Sequence, residues 1–405
     1  MKFIFKGYNS NLEKGEVLFN FGLIGEKNID FTEKISFLPV QNKIPQALLK
    51  ALLDNLMLIL GISYWKLYCP KDIIIESNFL SKEQAEFWNT IYTKGLGEFF
   101  YKNKIDFRGL VNFPFIKGLE TKPTAFLRKD RYLLGIGGGK DSIVAAEMLK
   151  SENKEFELLI DDAEIQRGVV GIMNKTPIVK KRELDSKLFE LNKETGVYNG
   201  HIPISAIYAF LGLLFAVFYD YKYFVVGNEK SANYGNVEYL GEMINHQWSK
   251  SEEFEKLLNN YLQKFITPDL SYYSPLRNMN ELEVVREFVK YPQYFKVFSS
   301  CNKNFKILRP DGLRKGKWCN KCPKCLFVFI CLSAFLSRKE VLAIFGNNLF
   351  EDESLIPLFE ELIGIKNFKP FECVGTPEEV KEALLEIVKK GEFNNSVLIK
   401  HYKSL

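Results

Sequence analysis

The octet Gly135-Ile136-Gly137-Gly138-Gly139-Lys140-Asp141-Ser142 restricts the fold of this chain more than any other feature. It lies between an apolar stretch, RYLLGI, and a helical pattern, IVAAEMLK. A strand must therefore leave a sheet, turn almost without side chains and enter a helix within a few residues. Three consecutive glycines let a ligand approach the backbone without Cβ obstruction, and the free amides at the helix start face it with a favourable dipole. That geometry fits a phosphate; the other reading is a glycine turn with no ligand. Two common phosphate patterns are excluded. GxxxxGK[ST] fails because Leu134 stands at its first glycine and Asp141 follows the lysine, and GxGxxG fails because Lys140 stands at its third glycine.

Strand patterns follow at FELLI (156–160), PIVKK (177–181) and YFVVG (223–227), with helical stretches between them. Alternation of this kind predicts an α/β fold with a doubly wound parallel sheet covered on both faces. The run Ile202–Tyr219 holds no charged residue and touches the lower limit for a membrane span. Pro203 and Ser205 suit a helix start and Asp220 ends the run, so a buried helix is expected. The 405 residues suit two to three domains. The divisions expected are 1–125, an N-terminal α+β domain for substrate binding; 126–300, the glycine-loop α/β domain; and 301–405, a cysteine cluster with C-terminal helices.

Hydrophobic residues at 46% and charged residues at 26% exclude a disordered or low-complexity chain. The net charge, +5, leaves no footprint for nucleic acid. The N-terminus carries no signal-peptide pattern, so a cytoplasmic setting with reduced thiols is expected. Clustered members of the seven cysteines then read as metal ligands or catalytic groups. Cys319, Cys322 and Cys325 form CxxCxxC, with Cys301 upstream beyond a loop containing Asp311 and Gly312. Four thiolates match a closed structural zinc site with no open position for catalysis. An iron-sulfur cluster and plain reduced cysteines are the alternatives. Cys69 and Cys331 sit in apolar stretches and read as core residues.

GGGKDS resembles the PP-loop of the ATP pyrophosphatases, SGGxDS, with Gly137 in place of the first serine. The resemblance implies cleavage of ATP between its α and β phosphates. Gly137, Gly138, Gly139 and Ser142 would then line the pyrophosphate site, Lys140 would add charge and Asp141 would help hold Mg2+. Loop and cysteines together also resemble 7-cyano-7-deazaguanine synthase, which implies ligase or transferase chemistry on a nucleobase or tRNA. A resemblance over most of the chain is to the glycopeptidyl-glutamate epimerases. It is carried by GISYWKLYCP (61–70), GLGEFFYKNKIDF (95–107), GIGGGKDS (135–142), NGHIPISAI (199–207), VVGNEKSAN (225–233), NHQWSKS (245–251), WCNKCPKCLFVF (318–329) and FECVGTPEE (371–379). It implies ATP- and Mg2+-dependent inversion of the terminal L-glutamate of a UDP-muramoyl dipeptide through an acyl-adenylate, in peptidoglycan synthesis. Coupling to the muramoyl ligase that adds L-glutamate would follow, with no nucleic-acid or membrane partner.

Inversion needs a proton acceptor and a donor, or one group serving as both. Of the three histidines, His401 lies within the last five residues and reads as a surface group, which leaves His201 and His246. His201 occupies a Gly-His-Ile-Pro turn; a local turn role is its alternative, as a polar loop role is for His246. Cys373 precedes a helix start, Thr376-Pro377-Glu378-Glu379, whose positive end would lower a thiol pKa; a structural cysteine is the other reading. Glu372 is a further base, expected on the opposite face of an extended segment. Asn228 and Glu229 follow a strand on the ligand-binding side of an open sheet, so Glu229 could hold magnesium or the nucleotide base; a solvated turn is the other reading. Arg277 and Arg309 could anchor carboxylates or phosphates by charge.

Overall fold

The computed structural model describes residues 1–26, 28–305 and 317–405. Its strands, among these residues, are β1 (Lys2–Asn11), β2 (Glu16–Ile24), β3 (Ile29–Phe37), β4 (Asp72–Ile75), β5 (Tyr132–Gly135), β6 (Phe156–Ile160), β7 (Ile178–Glu183), β8 (Tyr223–Val225), β9 (Val237–Tyr239), β10 (Glu242–Ile244) and β11 (Ser271–Tyr273). Nine form one sheet in the order β11-β8-β5-β6-β7-β3-β2-β1-β4, while β9 and β10 pair as a separate hairpin. The half from β11 to β7 is parallel, as expected. It continues through an antiparallel β7–β3 pair into the meander β3-β2-β1. The strands of the first 125 residues thus extend the sheet that carries the glycine loop. Arg182 of β7 fixes this junction with a buried ion pair to Glu33 of β3, at 2.6 Å.

The parallel half is covered on both faces because alternate residues of each strand point to opposite sides. Leu133, Leu159 and Phe224 enter one core, with the helices Gln46–Leu60 and Ile204–Phe218. Leu134, Leu158, Ile160 and Val225 enter the other, with the helices Lys140–Ser151, Pro323–Phe335 and Pro377–Lys390. The uncharged run expected as a buried helix is the helix Ile204–Phe218, twelve of whose residues are buried. The stretch Gln46–Trp65 has a membrane span's length and a hydropathy of 1.5, yet 78% of its apolar window is buried in the fold.

From β5 the chain runs outward through β6 to β7, then returns to the other side of β5 for β8 and β11. The loops after β5 and β8 therefore diverge at one point, where open α/β sheets form a crevice at their carboxyl ends.

Candidate active site

At that crevice, β5 ends in Gly135, and Gly139 caps the helix Lys140–Ser151. Gly138 has φ +88, and a Cβ there would lie 2.5 Å from Ile165 Cγ2, so both backbone shape and space demand glycine. Gly227, just before Asn228, packs so closely on the Asp141 backbone that a Cβ would stand 2.6 Å from its carbonyl carbon. The two loops are thereby held together. Gln166 donates to the Ile136 carbonyl at 2.8 Å and accepts from the Asp161 and Ala163 amides, which braces the loop from β6. A cavity of about 190 Å³ opens here, lined by Gly135, Gly137, Asp161, Lys180, Tyr208 and Asn228 among others. Ser142 is buried and donates to the Gly139 carbonyl at 3.1 Å.

Beside the loop, carboxylate oxygens of Asp141, Glu229 and Glu281 lie within 4.8 Å of one another. Lys140 is buried and ion-paired with Asp141 and Glu281. Burial pushes the Glu281 carboxyl up to about 8, with Lys140 opposing and Glu229 adding to the shift. Burial acts the same way on Asp141, but Lys140 and Lys324 outweigh it and hold its pKa below the usual value. Glu229 Oε2 is buried without a hydrogen-bond partner. Three carboxylates and one ammonium leave two negative charges when all are ionised, the charge that one divalent cation neutralises. An all-oxygen donor set with a free buried oxygen fits magnesium. Glu281 was missed in the sequence because an acid in the first turn of a helix, here Glu281–Phe288, reads as ordinary dipole complementation. Arg277 is engaged by Glu255 at 2.7 Å and by the Glu229 carbonyl at 3.3 Å, so it supports the loop. Arg309, Asp311 and Gly312 lie outside the described residues.

A second centre adjoins the first. His246 Nδ1 meets Glu98 Oε2 at 2.5 Å, and His201 Nδ1 meets the same oxygen at 3.3 Å. The two imidazoles stand 4.6 Å apart between centroids. His246 also hydrogen-bonds Cys373. The order Cys373, His246, Glu98 is that of a thiol oriented by an imidazole that is itself oriented by a carboxylate. Burial would raise the Cys373 pKa, but Lys250, the His246 hydrogen bond and Lys324 drive it well below the ordinary thiol value. The expected helix end is present, with Thr376 and Glu379 in a capping box, yet the cations that act on the thiol are side chains. Glu372 lies in a bend, and burial raises its carboxyl to about 7, with His246 opposing and Cys373 adding to the shift.

Few hydrogen bonds place this centre. Asn236 accepts the His246 amide at 2.8 Å and donates to the carbonyls of Lys369 and Pro370 at 3.0 and 2.9 Å. Gln247 donates to the Val374 carbonyl at 3.2 Å. The segment carrying Cys373 is thus fixed to the loop carrying His246. His401 is remote, paired with Glu360 at 3.1 Å.

The histidines should leave opposite marks on stability. Burial opposes the charge on His246, but Cys373 and Glu98 raise its pKa to about 9. Its pairing therefore stabilises the fold fully below pH 6.5, and that contribution fades as pH rises through about 9. Burial, then His246, lowers His201 to about 3, so stability falls as pH drops from 6.5 toward 3. Melting temperature against pH should peak between these limbs, with His246→Gln flattening the alkaline limb and His201→Gln the acid one. Unchanged limbs in both variants would remove this account.

The four cysteines expected as ligands, Cys301, Cys319, Cys322 and Cys325, have sulfurs within 4.8 Å of one another, including separations of 3.5 and 3.7 Å. A tetrahedron with metal–sulfur bonds of ~2.3 Å has edges of ~3.8 Å, so the cluster can surround a single metal ion. Cys322 caps the buried helix Pro323–Phe335, which ties the cluster to the second core. Lys324, between two of these cysteines, lowers the pKa of both Asp141 and Cys373 through its charge.

Similarity to known proteins extends over most of the chain. The family model described as the MurL N-terminal domain matches residues 1–275, and that of the MurL C-terminal domain matches 297–404. A protein of Xanthomonas oryzae named UDP-N-acetyl-alpha-D-muramoyl-L-alanyl-L-glutamate epimerase is 36% identical over 352 residues, covering 86% of this chain and 77% of the relative. Proteins of the same name from Micromonospora and Salinispora tropica are 35% and 34% identical, covering 98% and 96% of this chain and 89% and 85% of the relatives.

Proposed function

Because the chain belongs to the MurL family, we propose that it inverts the terminal L-glutamate of UDP-N-acetylmuramoyl-L-alanyl-L-glutamate to D-glutamate, using ATP, in peptidoglycan synthesis. The observation that carries this reading is Lys250, which acts electrostatically on Cys373, Glu229 and Asp141 alike. The thiol and the acidic loop therefore both lie within electrostatic reach of one ammonium. A carboxyl group activated at the loop would place its α-carbon, one bond away, toward the thiol.

Loss of an α-proton beside a carboxylate is difficult because a second negative charge forms next to the first. Attack of the substrate carboxylate on the α-phosphorus of ATP, with departure of pyrophosphate, gives a mixed anhydride and removes that obstacle. In this reading the amides at Gly138 and Gly139, with Ser142, receive the departing pyrophosphate. Asp141, Glu229 and Glu281 would hold magnesium, which supplies positive charge to the phosphates when bound. The 190 Å³ cavity beside Gly137 and Asn228 takes the nucleoside. The Cys373 thiolate then accepts the α-proton, and its negative charge is carried beforehand by Lys250 and protonated His246. His201, kept neutral by burial, and Glu372, poised near neutrality, are the candidates for the other face. Reprotonation there inverts the centre, and water releases AMP from the anhydride. A ligase joining L-glutamate to the muramoyl precursor must act first, so functional coupling to it belongs to the same proposal, as does a cytoplasmic site of action.

Incubation with the L-glutamyl substrate, ATP and magnesium in deuterated water tests the proposal. Deuterium at the glutamyl α-carbon, with equimolar AMP and pyrophosphate, is expected. Exchange that proceeds equally without ATP would defeat the adenylate step.

We assign the cysteine cluster to structural zinc, since four close sulfurs suit one ion. About one zinc per chain is expected by elemental analysis. Cys322→Ser should lower melting temperature sharply while any folded fraction keeps normal kinetics. A stable, active, metal-free protein would remove the assignment.

A further inference from the structure

The terminal glutamate has a second carboxylate, on its side chain, which must remain ionised while the first is activated. A protein that selects glutamate has to recognise that charge in a dry site. Among the described residues, buried side-chain atoms without a hydrogen-bond partner include Lys369 Nζ, Glu229 Oε2, Gln247 Oε1 and Glu372 Oε2. All four residues border the thiol centre or the acidic loop. Lys369 is the cation of this group.

Lys369 is only 4% exposed, and its ammonium stands 5.5 Å from the Tyr234 ring centroid. The carboxylates of Glu229, Glu281 and Glu379 and the thiol of Cys373 surround it electrostatically, but none bonds to it. Glu379 is already engaged by Ser231 at 2.6 Å and by the Glu281 amide at 2.7 Å. Through Asn236, the backbone of Lys369 is fixed to the same hydrogen-bonding residue as His246. An unpaired buried ammonium costs folding free energy, so its position is better explained by a ligand than by the fold.

Resting on the epimerase reading, we infer that Lys369 anchors the side-chain carboxylate of the substrate's terminal glutamate and so sets the preference for glutamate. The ammonium's isolation from protein acceptors leaves it free to donate to that carboxylate. Its fixed relation to His246 sets the distance between the anchored carboxylate and the carbon to be inverted. A terminal glutamine would present a neutral amide to the same ammonium and leave the charge unpaired.

The test is calorimetric binding of UDP-N-acetylmuramoyl-L-alanyl-L-glutamate and of its counterpart ending in L-glutamine, without ATP. Wild type should prefer the glutamyl compound by at least about 30-fold, the usual effect of removing one partner of a buried charge pair. Lys369→Met should lose the preference and melt no lower than wild type, while Lys369→Arg should keep part of it. A Met variant that retains the preference, or that unfolds, overturns the inference. So does wild type binding both compounds alike or neither. If Lys369→Met loses ATP affinity instead, the ammonium serves a phosphate and the inference fails. A wild-type protein that shows the preference but incorporates no deuterium supports this subsite and breaks the epimerase reading.

Discussion

Asp141→Asn should suppress pyrophosphate release by on the order of 1,000-fold while leaving the protein folded. Asp141 stands where the glycine turn enters its helix, beside Glu229 and Glu281, and its negative charge is maintained by Lys140 and Lys324. The amide keeps the shape and removes the charge. Lys140 retains Glu281 as its partner, so the variant leaves no buried ammonium stranded. Glu229→Gln should weaken the same step in a way that added magnesium partly reverses, because Glu229 contributes an oxygen to the set and makes no ion pair among those described. Release of labelled pyrophosphate, followed with circular dichroism as the folding control, reads both effects. Asp141→Asn retaining activity within tenfold of wild type would reject the loop as the phosphate site.

The contrast between Asp141 and its neighbours shows what one sequence reveals and what it hides. The loop was legible because its signal is local: consecutive glycines, a strand before and a helix after. The cysteine cluster was legible for the same reason, through two-residue gaps. The parallel strands β5, β6, β7 and β8 followed from short strand-like runs alternating with helical stretches. Hidden were the features made by distant segments. Glu98, in GLGEFF, reads as a solvated helix residue, yet it receives both His201 and His246. Lys324 reads as a spacer in CxxCxxC and Lys250 as a loop charge, yet both act on Cys373. The helix start after Cys373 predicts a lowered thiol pKa, but the side chains that lower it are Lys250 and His246, from one segment, and Lys324, from the first turn of the helix Pro323–Phe335. The β3–β7 pairing was equally invisible, since backbone ladders carry no address and the side chains that mark the join, Glu33 with Arg182 and Asp185 with the Thr32 amide, lie 149 and 153 residues apart in the chain. Blocks such as NHQWSKS and FECVGTPEE carried the relevant residues, but their meeting depends on Asn236 and Gln247 holding one segment to the other.

Cys373→Ala should separate activation from inversion. If the thiolate takes the α-proton, the variant still cleaves ATP to AMP and pyrophosphate, because the anhydride forms before any proton moves. Epimerisation should fall by on the order of 100-fold or more, the usual contribution of a positioned general base. The anhydride then meets water with its stereocentre unchanged, and ATP is consumed without product. His246→Gln should fall in the same direction but less far: Lys250 and Lys324 remain to stabilise the thiolate, while the hydrogen bond that orients it is lost. Deuterium wash-in divides the roles further. A variant that exchanges the α-proton of the L-isomer yet inverts poorly has kept the base and lost the donor, which is the behaviour expected of whichever of His201 and Glu372 serves the opposite face. Loss of both exchange and inversion identifies the base, and that is the pattern Cys373→Ala should give. Wild-type epimerisation in Cys373→Ala would return the thiol to a structural role and leave the cations gathered around it without a function.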